Sequence, residues 1–71
     1  MNKRSIGTNA GIIWRIMNNN MSWNYAELKE KSGLSDMDLC AAIGWLAREN
    51  KIEFEDNSKE QRIYLNFNPY F

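Results

Sequence analysis

The sequence predicts an α+β, mainly α domain: three helices, a short strand after the first, and a C-terminal two-stranded β-hairpin. Three observations predict it. Residues 39–47, Leu39-Cys40-Ala41-Ala42-Ile43-Gly44-Trp45-Leu46-Ala47, hold no charged side chain and read as a helix that is apolar nearly all round. A turn at Gly33-Leu34 joins that helix to a shorter one before it, the pattern of a helix-turn-helix. Beyond it, Lys51-Ile52-Glu53-Phe54-Glu55 alternates with period two. Residues 61–67 then return with Ile63, Leu65 and Phe67 on one face, which makes a wing. Together these give a winged helix-turn-helix.

The first helix is expected to start near Ile6 to Asn9, capped by Thr8 or Asn9, and to run to about Asn18. Ile6, Ala10, Ile13 and Met17 repeat at helical spacing. Ile12, Trp14 and Ile16 widen that stripe to about half the circumference, beyond the ~100° of an ordinary core-facing helix. The surplus is either a thick seat for a small core or an interface. Gly11 inside the helix costs roughly 1 kcal/mol relative to Ala and suggests close approach of another backbone. Asn18-Asn19-Asn20 forms the turn, and Met21-Ser22-Trp23 is a very short strand. Asn24 and Glu27 then make a capping box for helix two, residues 25–32. Gly33 suits a left-handed exit, and Ser35 caps helix three, residues 36–49, with Asp36 and Asp38 at the positive end of its dipole. Asn50 is the next left-handed exit. The expected centre of the core is Ile13, Leu28, Leu39, Ile43, Leu46, Ile52 and Leu65.

Seventy-one residues make one domain, ordered over 6–67, with tails at 1–5 and 68–71. Hydrophobic residues at 44% and charged residues at 25% suit a folded chain rather than a disordered one. One Cys and no His leave an internal disulfide impossible, a zinc site almost without ligands, and Cys40 without its usual activating partner. No nucleophile–base pair is apparent, so no enzymatic activity and no cofactor or small-molecule ligand is expected. No apolar run approaches the ~18 residues of a membrane span, and no signal-peptide core follows Lys3-Arg4. The expected location is cytoplasmic.

At this level the chain resembles a known family. Residues 6–14, Ile6-Gly7-Thr8-Asn9-Ala10-Gly11-Ile12-Ile13-Trp14, and 42–52, Ala42-Ile43-Gly44-Trp45-Leu46-Ala47-Arg48-Glu49-Asn50-Lys51-Ile52, look like very small winged helix-turn-helix proteins of gut bacteria, a domain family of unknown function. The resemblance covers about residues 6–65. It implies the fold, and it implies DNA binding only through general likeness to winged-helix regulators.

A DNA-reading third helix carries Arg, Lys, Asn, Gln, Ser or Thr outward. Here the outward set begins with Ser35, Asp36 and Asp38, continues with Ala41, Gly44 and Trp45, and has Arg48 as its only cation. The carboxylates read first as caps. Lys59 and Arg62 are the expected wing contacts to phosphate, among Glu53, Glu55, Asp56 and Glu60, with Lys3, Arg4 and Arg15 as a basic edge on helix one. Net charge is zero, which predicts weak, salt-sensitive binding to duplex DNA. Trp14, Trp45, Tyr70 and Phe71, with Trp23, are the candidate anchors of a protein interface. The first reading is a small DNA-binding, regulator-type module. The alternative is a protein-interaction or dimerisation module that keeps the fold without binding DNA. A homodimer is expected, since two apolar helix faces exceed what one small core covers; the alternative is a monomer in which Trp14 and Trp45 lie against the wing strands and the tail covers the rest.

Overall fold

The computed structural model describes residues 1–18, 22–56 and 61–66. Helix α1 spans Lys3–Met17, strand β1 Ser22–Trp23, α2 Tyr25–Ser32, α3 Asp36–Arg48, β2 Ile52–Asp56 and β3 Gln61–Leu65. The strands form one antiparallel sheet in the order β1-β3-β2. β3 is therefore the central strand. It pairs with β2 from Ile52↔Leu65 to Asp56↔Gln61, and with β1 through Ser22↔Tyr64 and Trp23↔Ile63. The winged helix-turn-helix expected from the sequence is the observed fold.

Helix α1 departs from expectation at its start. It begins at Lys3, not near Ile6, so residues 3–5 are helical rather than a tail and Thr8 and Asn9 lie inside the helix. The cap is Asn2: its Oδ1 accepts the Ser5 N–H at 2.8 Å, and Ser5 Oγ accepts the Asn2 N–H at 3.0 Å. This is a capping box with Ser in place of Glu or Gln. Lys3 and Arg4 sit against the positive end of the helix dipole, and no apolar residue marks the first turn. The start is thus hidden from periodicity.

The other local signals hold. The Asn24 side chain accepts the Glu27 N–H at 2.8 Å, and the Glu27 carboxylate accepts the Asn24 N–H at 2.8 Å. Gly33 takes φ 70° and donates its N–H to the Lys29 carbonyl at 3.0 Å, a conformation in which a β-branched residue would be strained. Ser35 Oγ accepts the Asp38 N–H at 3.2 Å and opens α3. At the far end of α3, Asn50 takes φ 59°. Its N–H reaches the Ala47 carbonyl at 3.1 Å, while the Lys51 N–H reaches the Leu46 carbonyl at 2.9 Å. These two bonds make a complete Schellman motif, which fixes where the chain turns into β2.

All seven residues expected at the centre of the core are buried, joined by Ala10, Met17, Trp23, Ala42 and Ile63. α3 buries Leu39, Ala42, Ile43 and Leu46 against α1 and the sheet. Its second apolar side stays open: Cys40, Gly44 and Trp45 are exposed and Ala41 is half-buried. Gly11 is not explained by close approach of a backbone, because a Cβ added there would meet nothing within 4 Å.

Candidate interaction face on α1 and α3

Two neighbouring hollows lie along the α1/α3 pair. One is lined by Gly7, Ala10, Gly11 and Trp14 of α1, by Trp45 and Leu46 of α3, and by Lys51. The other is lined by Ile6, Ala41, Gly44, Trp45, Arg48 and Glu49. Trp45 borders both. Trp45 is 42% exposed and Trp14 39%, so neither is absorbed by the core. Glycines line both hollows, and a Cβ at Gly7, Gly11 or Gly44 would meet nothing within 4 Å. Each glycine inside a helix costs roughly 1 kcal/mol relative to Ala. Packing within the described residues does not require any of the three.

Lys51 closes one end of the first hollow. The Schellman motif presents its side chain toward α1, and Nζ lies 5.8 Å from the centroid of the Trp14 ring, within cation–π range. Sequence reasoning missed Lys51 as part of this face, since it reads there only as the first residue of an alternating strand. Gly7 was missed too, and Gly44 was read as an outward position but not as the floor of a hollow. Their signal was present as glycine at interior helical positions.

Trp23 is no anchor. It is buried, and its Nε1–H donates to the Met17 carbonyl at 3.3 Å. Arg62 also does different work from that expected of it. Its Nε donates to Ser22 Oγ at 2.8 Å, its Nη2 donates to the Ser22 carbonyl at 2.9 Å, and its Nη1 lies 3.8 Å from the Glu27 carboxylate. The guanidinium thus ties β3 to β1 and α2, and a phosphate contact would have to compete with those bonds. The outer face of the wing strands shows exposed Glu53, Glu55 and Tyr64. Ser35 is an exposed helix cap and Arg48 is exposed near the end of α3. Lys59, Tyr70 and Phe71 lie outside the described residues.

The front of α3 holds a polar cluster. Tyr25 Oη donates to Asp36 Oδ1 at 2.6 Å, and Lys29 Nζ lies 3.1 Å from the same oxygen. Cys40 Sγ is 3.8 Å from Tyr25 Oη. The hydrogen bond from Tyr25, then that from Lys29 and its charge, hold the Asp36 carboxyl below its ordinary range. The bond to Asp36 in turn pushes the Tyr25 hydroxyl well above the usual tyrosine range. Asp36 therefore links α2 to α3 in addition to favouring the helix dipole. Because its folded pKa is depressed, its contribution to stability is full above the ordinary carboxylate range near ~4 and is lost as pH falls through the lower folded value. The Tyr25 contribution has the opposite sign: it is present below the usual tyrosine range near ~10 and fades at higher pH. Carbon-detected NMR titration should find Asp36 ionising below the ordinary carboxylate range, and Tyr25→Phe should move that midpoint upward. An unmoved midpoint would mean that the Tyr25 hydroxyl does not reach Asp36 in solution.

Among the described residues, no group of three or more His, Cys, Asp or Glu side chains is placed to hold a metal ion. No helix among the described residues is long and apolar enough to cross a membrane. A short Gly-containing turn between α2 and α3, with a hairpin whose inner strand also pairs with β1, defines a winged helix-turn-helix protein. The chain belongs to the family described as winged helix-turn-helix domain (DUF2582), which matches residues 1–65. The resemblance read from residues 6–14 and 42–52 is thereby borne out. The solution NMR structure of a protein from Bacteroides thetaiotaomicron is similar, with 38% identity and a TM-score of 0.82 over 92% of this chain and 79% of that one. A structure of HOP2, described by its DNA recognition and protein interaction domains, has a TM-score of 0.67 at 22% identity, covering 82% of this chain and 98% of that one. That second likeness is one of fold. No curated protein matches the chain.

Proposed function

We propose that this chain is a non-catalytic winged-helix module that docks protein through the exposed side of α3, with a second copy of itself as the partner. The observation that carries this reading is the composition of that side. Where a DNA-binding member of the fold presents base-reading side chains to the major groove, this helix exposes Met37, Cys40, Gly44 and Trp45, and Arg48 is its only cation. Met37 is 66% exposed. An exposed Trp beside a glycine gives an anchor and a place for close approach. Arg48 and Glu49 line the same hollow, so a two-fold contact there is self-complementary in charge.

DNA binding is the second reading. It is favoured by the exposed cations Arg48 and Lys51, one at the end of α3 and one just after it.

Sedimentation equilibrium over a range of concentrations separates the two. The parent should form a species heavier than the 8.4 kDa chain. Gly44→Glu should shift it toward monomer without harming the fold, since the position is open. Trp45→Glu should do the same. A parent that stays at monomer mass at high concentration would overturn the self-association reading. If that monomer bound duplex DNA at low salt, and Arg48→Ala with Lys51→Ala flattened the salt slope by about two, DNA would take its place.

A further inference from the structure

We infer that the hollow between Trp14 and Trp45 is a docking site for the chain's own residues 67–71, Phe67-Asn68-Pro69-Tyr70-Phe71. These residues lie outside those described, and they lie beyond the span that matches the family. The inference is independent of self-association, which uses the hollow on the other side of Trp45.

The argument starts from where the described chain stops. Asn66 is held at the exit of α3: its backbone N–H donates to the Lys51 carbonyl at 2.9 Å, and its side-chain Nδ2 donates to the Asn50 carbonyl at 3.0 Å. Lys51 is also a wall of the hollow, with its ammonium over the Trp14 ring. The described chain therefore ends beside a residue that borders the site. Five residues extend at most about 17 Å, enough to follow a groove from one turn of helix to the next. Three of the five are aromatic and none carries a charged side chain. The hollow offers two half-exposed indoles as walls, and open space over Gly7 and Gly11 in which a ring can lie against helix backbone. Edge-to-face and offset contacts between such rings are favourable beyond their buried area. The same placement would cover apolar surface on α1 that the core leaves open. Pro69 limits the conformations the segment must give up on docking.

The test compares the full chain with a chain ending at Asn66, and with the triple variant Phe67→Ser, Tyr70→Ser, Phe71→Ser. Both keep the two Asn66 hydrogen bonds and the whole described core, and an unchanged Trp23 indole signal verifies the fold. In the full chain, NMR should show ring-to-ring cross-peaks from Tyr70 or Phe71 to Trp14 and Trp45. Truncation should abolish them and shift the amides of Gly7 and Gly11 and both indole N–H signals. A synthetic peptide of residues 66–71 added to the truncated chain should move those signals back. Shifts confined to residues 64–66 on truncation would overturn the inference. So would cross-peaks found only between labelled and unlabelled copies in a mixed sample, which would mean that the segment docks on a second molecule. Self-association is read separately, by mass, so either result stands if the other fails.

Discussion

Replacing Leu46 with Ala is expected to cost about 2–5 kcal/mol and to lower the melting temperature by roughly 10 °C or more. Leu46 is 2% exposed and lies on the side of α3 that faces α1. Removing its isobutyl group opens a cavity between two helices whose ends are held in place. α3 is anchored by the Ser35 cap at one end and by the Schellman bonds at the other, one of which ends on the carbonyl of Leu46 itself. Those anchors limit how far the helices can close on the void, which puts the cost toward the upper part of the range. Total stability in folded domains is only about 5–15 kcal/mol, and a chain this short sits low in that range. Circular dichroism melts check the expectation. A variant that melts with the parent would place Leu46 outside the core and reverse the orientation of α3.

Trp23→Ala should cost about 3–5 kcal/mol. The indole is buried although its strand is only two residues long, and its N–H satisfies the carbonyl of Met17, the last residue of α1. That carbonyl is one of the four that a helix end leaves without an intrahelical partner. The substitution therefore removes a large ring from the core and strips a helix end of its donor at once. Trp23→Phe separates the two effects. It keeps most of the ring and loses the N–H, so it should cost nearer ~1 kcal/mol for the hydrogen bond, plus whatever the smaller ring leaves unfilled. Urea unfolding of the three proteins gives the comparison. Equal losses for Ala and Phe would assign the whole effect to the hydrogen bond and leave no packing role for the ring.

The three tryptophans show where the sequence stops being informative. Each is a candidate anchor on the sequence alone. Trp23 packs into the core because β1 pairs with β3 and turns it toward the end of α1. Trp14 and Trp45 stay half-exposed because the stripes of α1 and α3 are wider than the contact between the helices. No property of the residue type distinguishes them. Arg62 makes the same point for charge. In sequence it is a cation on a wing strand among carboxylates. In the fold its guanidinium reaches Ser22, forty residues away, and is used within the domain.

The sequence by itself determined the number, order and type of the elements, the helix-turn-helix, and the centre of the core. It did so because the signals involved act over a few residues. The Asn24–Glu27 box, the Ser35 cap, and the left-handed exits at Gly33 and Asn50 are each complete within six positions or fewer, and the apolar repeats of α1, α3, β2 and β3 are equally local. Even the start of α1 at Asn2 obeys a local rule, though the basic first turn concealed it. Only the tertiary structure decided that the second apolar side of α3 stays uncovered, which tryptophans remain outside, that Lys51 lies over Trp14, and that Gly7, Gly11 and Gly44 line open hollows. These depend on how α1, α3 and the sheet are set against one another. Many crossing arrangements bury one apolar stripe equally well, so the choice among them is made by the joint packing of residues far apart in the chain.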